Sequence, residues 1–207
     1  MTRHGVLFAA AAAAAAGCLS PGLGASDSVR FYQLSAQDPA PAPKEAAFGA
    51  PALAVSVPRA RAGFETRLMA YSPRPGELLY YSVNEWVDSP ARMLQAALVR
   101  YLEEKGAWGS VAAEPHPEAA DYRLDVDDLL LVQEFFAKPS RVRMSLEMRL
   151  VKARSGRIVG TRRFEDVEDA PGNDPYSGVT AADRALDTIL GQAARWLSDL
   201  SRRSISR

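Results

Sequence analysis

The stretch VRMSLEMRL, residues 142–150, is the most regular pattern in the chain and decides its fold. Apolar side chains occupy every second position, and charged or small polar side chains stand between them. Because successive residues of a strand point to opposite faces of a sheet, the alternation predicts a strand with one face buried. Ser155 and Gly156 supply a turn, after which residues 157–167 return as the second strand of a hairpin. A third strand of the same sheet opens upstream, where the same alternation runs through Tyr122, Arg123, Leu124, Asp125, Val126 and Asp127.

Shorter strands are predicted where β-branched and aromatic residues are bounded by proline, glycine or polar residues. They cover residues 29–34, 52–57, 66–72 and 77–83, with a further short candidate at 110–113. Residues 36–51 are rich in proline and alanine, a composition that favours neither a helix nor a central strand. We expect this segment to be an exposed connection.

Two amphipathic helices are predicted. The first begins at Ser89 and Pro90, an N-cap residue followed by proline at the first helical position, and ends at Gly106. The second is predicted to begin after a loop, at Thr180, with Asp183 as the acidic member of a capping box. Hairpins combined with two helices, rather than strand–helix–strand alternation, predict an α+β fold. The expected architecture is a mostly antiparallel sheet with both helices packed on one face.

The start of the chain has the layout of an export signal. A basic start and an apolar run lead to small residues, of which Ala15 and Gly17 are two, and then to Cys18, the only cysteine in the sequence. The apolar run is shorter than the roughly 20 residues that a membrane-spanning helix needs. The pattern resembles the lipobox of bacterial lipoproteins, in which the leader is cut before a lipidated cysteine. The lipobox usually carries leucine where Ala15 stands, and an exported protein with an unmodified thiol is the alternative.

The expected organisation follows from this reading. We predict a signal peptide over residues 1–17, a lipid-anchored tether over 18–28, a single domain over 29–201 and a polar tail over 202–207. The 25 basic and 25 acidic side chains balance, so the charge gives no reason to expect nucleic acid as a partner.

The sequence offers few parts for catalysis. His4 lies in the leader, and His116 lies between two prolines in a predicted loop. Asp125, Asp127 and Asp128 raise the possibility of a calcium site, but no glycine-centred loop follows them, and solvated carboxylates are expected instead. The same interpretation applies to the acidic cluster at Glu165, Asp166, Glu168 and Asp169. We therefore expect a protein that is not an enzyme and that has neither a metal nor another cofactor.

Residues 67–99 carry a resemblance to a known family. An arginine-bearing strand, a Pro/Gly turn, a Leu-x-Tyr-Tyr strand, a tryptophan, an acidic residue and a leucine-bearing helix follow one another there. These positions are Arg67, Leu78, Leu79, Tyr80, Tyr81, Trp86, Asp88, Pro90 and Leu94. The segment is similar to the ABC-type transport auxiliary lipoprotein family. The chain departs from the family at residues 59–64, where members often have a Leu-Asp pair.

The resemblance implies a place beside Mce-type transport systems, which handle lipids between the two membranes of the envelope. The implied partner is an Mce-domain protein that reaches an outer-membrane lipoprotein. Leu19 agrees with that destination, because aspartate at this position tends to retain lipoproteins at the inner membrane. Two other functions remain open: a regulator of another envelope machine such as cell-wall synthesis, and a direct lipid carrier.

Tyr80, Tyr81 and Trp86 are the candidate contact residues. They cluster just before the first helix, and aromatic side chains are enriched at the centres of protein interfaces. The alternative is that all three pack in the core or along the strand. Contact of this kind can repeat around a multimeric partner, so a homo-oligomer is a further expectation.

Overall fold

The computed structural model describes residues 28–36, 49–115 and 120–205. Cys18, His116 and most of the Pro/Ala-rich connection over 36–51 lie outside the described residues, and so do residues 206–207. Within the described ranges the elements are eight strands, β1 to β8, and two helices, α1 and α2. The strands are Arg30–Tyr32, Ala52–Val55, Leu68–Ser72, Leu79–Trp86, Ser110–Ala113, Tyr122–Glu134, Arg141–Lys152 and Ile158–Asp169, and the helices are Pro90–Lys105 and Pro175–Ile205.

The predicted hairpin is present as β7 and β8, with β8 at one edge of the sheet. β7 pairs antiparallel with β6 on one side and with β8 on the other, and Leu146 lies opposite Phe164 in the β7–β8 ladder. Leu146 is fully buried, as are Met144 and Met148 beside it on the same face of β7. The alternation in residues 142–150 therefore identifies the buried face correctly.

The sheet as a whole is mixed, so the prediction of a mostly antiparallel sheet was wrong. Among the described residues four pairings are parallel, β1–β4, β2–β5, β2–β6 and β3–β6. The three antiparallel pairings, β3–β4, β6–β7 and β7–β8, each join strands that are consecutive in the chain. Side-chain alternation reports which face is buried but not the direction of the neighbouring strand. Only the pairs joined by a short turn could be predicted from sequence.

Helix α1 has the predicted ends. The Ser89 side chain accepts a hydrogen bond from the backbone N–H of Arg92, and Pro90 occupies the first turn. Gly106 ends the helix in the left-handed conformation, with φ of 61°, which glycine adopts without strain.

Helix α2 begins at Pro175, before the predicted start at Thr180. Its first turn is capped by Asp174, whose carboxylate accepts hydrogen bonds from the backbone N–H of Ser177 at 3.0 Å and from its hydroxyl at 2.5 Å. The prediction that Asp183 belongs to a capping box was therefore wrong, because Asp183 lies inside the helix and is buried. The helix also continues beyond Ser201, so residues 202–205 of the predicted polar tail are helical.

Both helices pack on one face of the sheet, as expected for the α+β architecture. Their apolar residues, such as Leu98 of α1 and Leu186 of α2, join the buried face of β6 and β7 in one cluster. A smaller cluster of Phe64, Ala70 and Val132 lies on the other face. In the part of the chain that the structure describes, neither helix combines the length and apolar composition that crossing a membrane requires.

Candidate partner-contact surface

Strand β4 carries the three candidate contact residues, and the structure separates them. Trp86 is 4% exposed and belongs to the main core under the helices. Tyr81 is half-buried on the same side, where it lines a small space together with Trp86 and Gly178 of α2. Tyr80 is 38% exposed, and its hydroxyl donates a 2.8 Å hydrogen bond to the backbone carbonyl of Gly63. Of the three, only Tyr80 offers a side chain to a partner.

A register shift in the β3–β4 ladder explains this separation. Leu68 pairs with Glu85, whereas Ala70 pairs with Tyr80, so two positions of β3 correspond to five positions of β4. An odd number of extra residues reverses the facing of the side chains. Tyr81 and Trp86 therefore share the helix side even though an odd number of residues separates them.

Tyr81 is held in a buried polar network. Its hydroxyl donates to the side-chain oxygen of Gln133 at 3.1 Å, and its ring lies 4.6 Å from the ring of Tyr71. The Gln133 amide donates in turn to Ser140 Oγ at 3.1 Å and to the carbonyl of Asp174 at 3.3 Å. Burial, aided by the nearby Tyr71 and Asp174, raises the pKa of the Tyr81 hydroxyl above its ordinary value. Tyr81 thus fixes the start of α2 against the sheet.

The side of the sheet that the helices leave open carries an apolar patch beside Tyr80. Phe31 of β1, Glu85 of β4 and Leu68 of β3 lie in one row across the three strands. Phe31 is 55% exposed and Leu68 is also exposed. The guanidinium of Arg67 lies 5.9 Å from the centre of the Phe31 ring and 3.4 Å from Glu85. We call these residues the open-face patch, namely Phe31, Arg67, Leu68, Tyr80 and Glu85.

Sequence reasoning missed Phe31 and Leu68. Both were predicted within strands, and a strand pattern does not say which face the helices will cover. No local signal in the sequence could have found them, because their exposure depends on the pairing of β1 and β3 with β4. The open-face patch thus combines three exposed apolar or aromatic side chains with the Arg67–Glu85 ion pair.

The carboxylates at the middle of β6 face arginines. Asp127 accepts hydrogen bonds from Arg59, at 2.5 Å, and from Arg149. Asp128 accepts two hydrogen bonds of 2.8 Å from Arg61. Hydrogen bonds from Arg59 and Arg61 hold the pKa values of Asp127 and Asp128 below their ordinary value. These carboxylates serve as ion-pair partners.

Asp125 is engaged in the same way by Arg123, at 2.7 and 3.1 Å. All three aspartates that suggested a calcium site are thus occupied by guanidinium groups. Over residues 28–36, 49–115 and 120–205, no group of three histidine, cysteine, aspartate or glutamate side chains is arranged to hold a metal ion.

Three spaces among the described residues bear on ligand binding. The space beneath Tyr81 and Trp86 has a volume of about 10 Å³, which holds no more than one water molecule. Two larger grooves of about 320 and 430 Å³ open at the surface of α1. The first lies against residues 33–36, and the second lies between α1 and the second half of α2. An acyl chain does not fit the interior space under β4.

The fold is a small α+β domain that is shared with solved bacterial proteins. The structure superposes on XCC0632 from Xanthomonas campestris with a TM-score of 0.74 and 20% sequence identity, over 86% of this chain and all of the other. It superposes on the hypothetical protein CT253 from Chlamydia trachomatis with a TM-score of 0.51 and 8% identity, over 74% of this chain and 98% of the other. At these identities the likeness establishes a shared fold.

The sequence itself places the chain more narrowly. Residues 32–194 match the family described as the ABC-type transport auxiliary lipoprotein component. The chain belongs to this family, as the pattern in residues 67–99 predicted. Comparison with curated proteins gives no significant match.

Proposed function

We propose that this protein is an auxiliary subunit of an Mce-type intermembrane lipid transport system, anchored by lipid at Cys18 to the periplasmic face of the outer membrane. Membership of the transport auxiliary lipoprotein family supports the link to an ABC-type transporter. The lipobox-like residues before Cys18 support the anchor, and Leu19 supports the outer membrane as the destination. The described domain acts by contact and performs no chemistry on the lipid.

The observation that carries this proposal is the open-face patch. Phe31, Leu68 and Tyr80 are exposed on the face of the sheet that neither helix covers. Aromatic residues with an arginine beside them are the composition that interface centres favour. Because β1 follows the predicted tether directly, only 13 positions of the sequence separate Phe31 from the proposed anchor at Cys18. The effective concentration for a partner at the same membrane is raised accordingly.

A capture experiment with matched variants tests the contact surface. The tagged mature protein is expressed in its own cells and isolated with its bound partners. Phe31→Ser and Tyr80→Ala should fold normally by circular dichroism and reduce capture of the partner by tenfold or more, since an aromatic anchor commonly contributes about 2 kcal/mol. Phe136→Ser is the control, because Phe136 is 41% exposed and lies 5.7 Å from Arg141, a close match to Phe31 with Arg67. Equal capture by all three variants would show that the contact surface lies elsewhere.

The identity of the captured protein tests the transport assignment separately. An Mce-domain protein or an ABC permease is the expected partner. Capture of a cell-wall synthase instead, lost on Phe31→Ser, would keep the open-face patch and overturn the transport role. Lipid that copurifies with the protein and resists removal would favour the carrier function and require one of the surface grooves as its site.

A further inference from the structure

Strand β8 leaves one long edge without a neighbour. It pairs with β7 from the Arg141–Asp169 pair to the Leu150–Gly160 pair, and in the described part of the chain no other strand lies beside it. Proteins usually shorten such edges or interrupt them, because unpaired backbone groups of a straight strand bind other strands. β8 spans twelve residues and has no proline. Its outer edge is therefore a surface on which a further strand can add.

The charges along β8 are divided between its two halves. Arg162 and Arg163 lie before Phe164, whereas Glu165, Asp166, Glu168 and Asp169 follow it. A strand of uniform charge would be repelled by one half or the other. When the β8 strand of a second copy runs antiparallel to the first, the basic half of each strand lies opposite the acidic half of the other. The edge is therefore complementary to itself.

The charges also select one register. With Phe164 opposite its own copy, Arg162 lies opposite Asp166 and Arg163 lies opposite Glu165, each pair on one face of the sheet. Twofold symmetry then repeats both pairs. A shift that centres the pairing on Arg163 or on Glu165 puts two like charges opposite each other at the axis.

Two of the side chains that would meet across this edge, Arg162 and Asp166, form no ion pair with another side chain among the described residues. Arg162 lies over the Phe164 ring at 5.1 Å and forms no ion pair with any described residue. Asp166 Oδ2 is buried and accepts no hydrogen bond from the described residues. Burial, together with the nearby Glu168, raises the pKa of the Asp166 carboxyl above its ordinary value. By contrast, Arg163 contacts Asp128 and Glu165 contacts Arg143.

We propose that β8 is an interface between two copies of this chain, paired antiparallel about Phe164 and held by reciprocal Arg162–Asp166 ion pairs. The pairing joins the two sheets into one continuous sheet. It supplies an ion-pair partner for Arg162 and for Asp166, neither of which has one among the described residues of the single chain. This interface does not involve the open-face patch, and its test is independent of the lipid anchor.

The test uses the mature chain with Cys18→Ser, analysed by sedimentation velocity over a range of concentrations. The parent chain should form a dimer. Arg162→Asp and Asp166→Arg should each weaken the dimer by about tenfold or more, because each places like charges in both symmetric pairs. An equal mixture of the two variants should restore the dimer, since the aspartates of one chain then face the arginines of the other. Arg157→Asp is the control, an exposed charge reversal outside the paired residues, and should leave the dimer intact.

Amide hydrogen exchange provides a second measurement if Asp166→Arg fails to fold. Backbone amides of residues 161–167 should exchange more slowly in the parent at high concentration than at low concentration, and Arg162→Asp should remove the difference. A chain that stays monomeric at millimolar concentration would overturn the proposal. So would an oligomer that Arg162→Asp leaves unchanged, or a mixture of variants that does not recover the dimer.

Discussion

The carboxylate of Asp183, in the middle of α2, accepts a 2.8 Å hydrogen bond from the backbone N–H of Ser35, a residue 148 positions earlier in the chain. Leu34, next to Ser35, is buried, and its N–H points to the sulfur of Met93 in α1 at 3.4 Å. The segment after β1 is thus fastened to both helices. Arg100 of α1 also donates a 3.5 Å hydrogen bond to the carbonyl of Ala36 in this segment.

The stability of the protein should depend on the ionisation of Asp183. Burial, together with the nearby Asp187, raises the pKa of Asp183 from 3.8 to about 6. The folded state therefore binds more protons than the unfolded state between these two values, and this group stabilises the fold fully below pH 4. Its contribution should be lost as the pH rises through about 6, by at most about 3 kcal/mol.

Asp183→Asn isolates this effect. The asparagine side chain can still accept the hydrogen bond from Ser35 without carrying a buried charge, so the variant should be more stable than the parent at pH 7.5 and similar to it at pH 4.5. Urea unfolding at the two pH values measures the difference. If the difference in free energy of unfolding between parent and variant did not change with pH, folding would not raise the pKa of Asp183, and the prediction would be wrong.

Gly178→Ala should destabilise the protein strongly. A Cβ atom at Gly178 would lie 2.9 Å from Gln133 Cδ and closer still to its side-chain oxygen. Gln133 would have to leave Tyr81 and Ser140, and we expect a loss of about 2 kcal/mol or more in the free energy of unfolding.

Gly191→Ala is the matched substitution in the same helix. The nearest atom to its Cβ would be the Tyr101 hydroxyl oxygen at 3.5 Å, an ordinary contact. Because alanine favours a helix over glycine by up to about 1 kcal/mol, this variant should be neutral or more stable. Thermal unfolding of the two variants, followed by circular dichroism, checks both expectations. A similar loss in both would mean that the Gln133 network is not what constrains Gly178.

Leu146→Asp should unfold the domain, whereas Glu147→Lys should change its stability by less than about 0.5 kcal/mol. Leu146 is 0% exposed, and an unpaired buried carboxylate costs several kcal/mol against a total of roughly 5–15 kcal/mol. Glu147 lies on the other face between Asp127 of β6 and Arg163 of β8, so a lysine there removes one like-charge pair and creates another, and the two effects offset each other. Far-UV circular dichroism at 25 °C and urea unfolding measure both variants. A folded Leu146→Asp protein would contradict the observed register of β7.

Cys18→Ser should release the protein from the membrane. Acylation requires the thiol, and in the described residues no helix replaces the anchor. Cell fractionation with carbonate extraction measures the release, and density-gradient separation of the parent protein decides between the two membranes. A leader-cleaved Cys18→Ser protein that still resists extraction would contradict the anchor, and parent protein in the inner-membrane fraction would contradict the destination.

Local patterns were enough to predict the parts of this fold that depend on consecutive residues. The alternation in residues 142–150, the turn at Ser155 and Gly156, and the caps of α1 all act within a few positions of the chain. The start of α2 was missed for a related reason. Asp174 and Pro175 are a good N-cap and first helical residue, but they follow Pro171 and Gly172, and the whole segment reads as a loop.

The parallel pairings and the location of the aromatics depend on distant residues. The pairing of β1 with β4 joins residues such as Phe31 and Glu85, and no turn between them leaves a signal in the sequence. The register shift opposite Leu68 decides that Trp86 is buried while Tyr80 is exposed. Sequence reasoning therefore placed Tyr80, Tyr81 and Trp86 in one region of the chain but could not say which face of the sheet each side chain occupies.

The small size of β1 has a mechanical consequence. A pull on the chain from the residues before Ser28 reaches the domain through three strand residues paired with β4. After β1, the next contacts to resist the force are those of buried Leu34 and the Ser35–Asp183 hydrogen bond. These connect the segment to α2, a helix of 31 residues. Force should therefore detach β1 from β4 first. The tether between the anchor and the folded domain then becomes longer by several residues, while the β7–β8 hairpin and both helices stay folded.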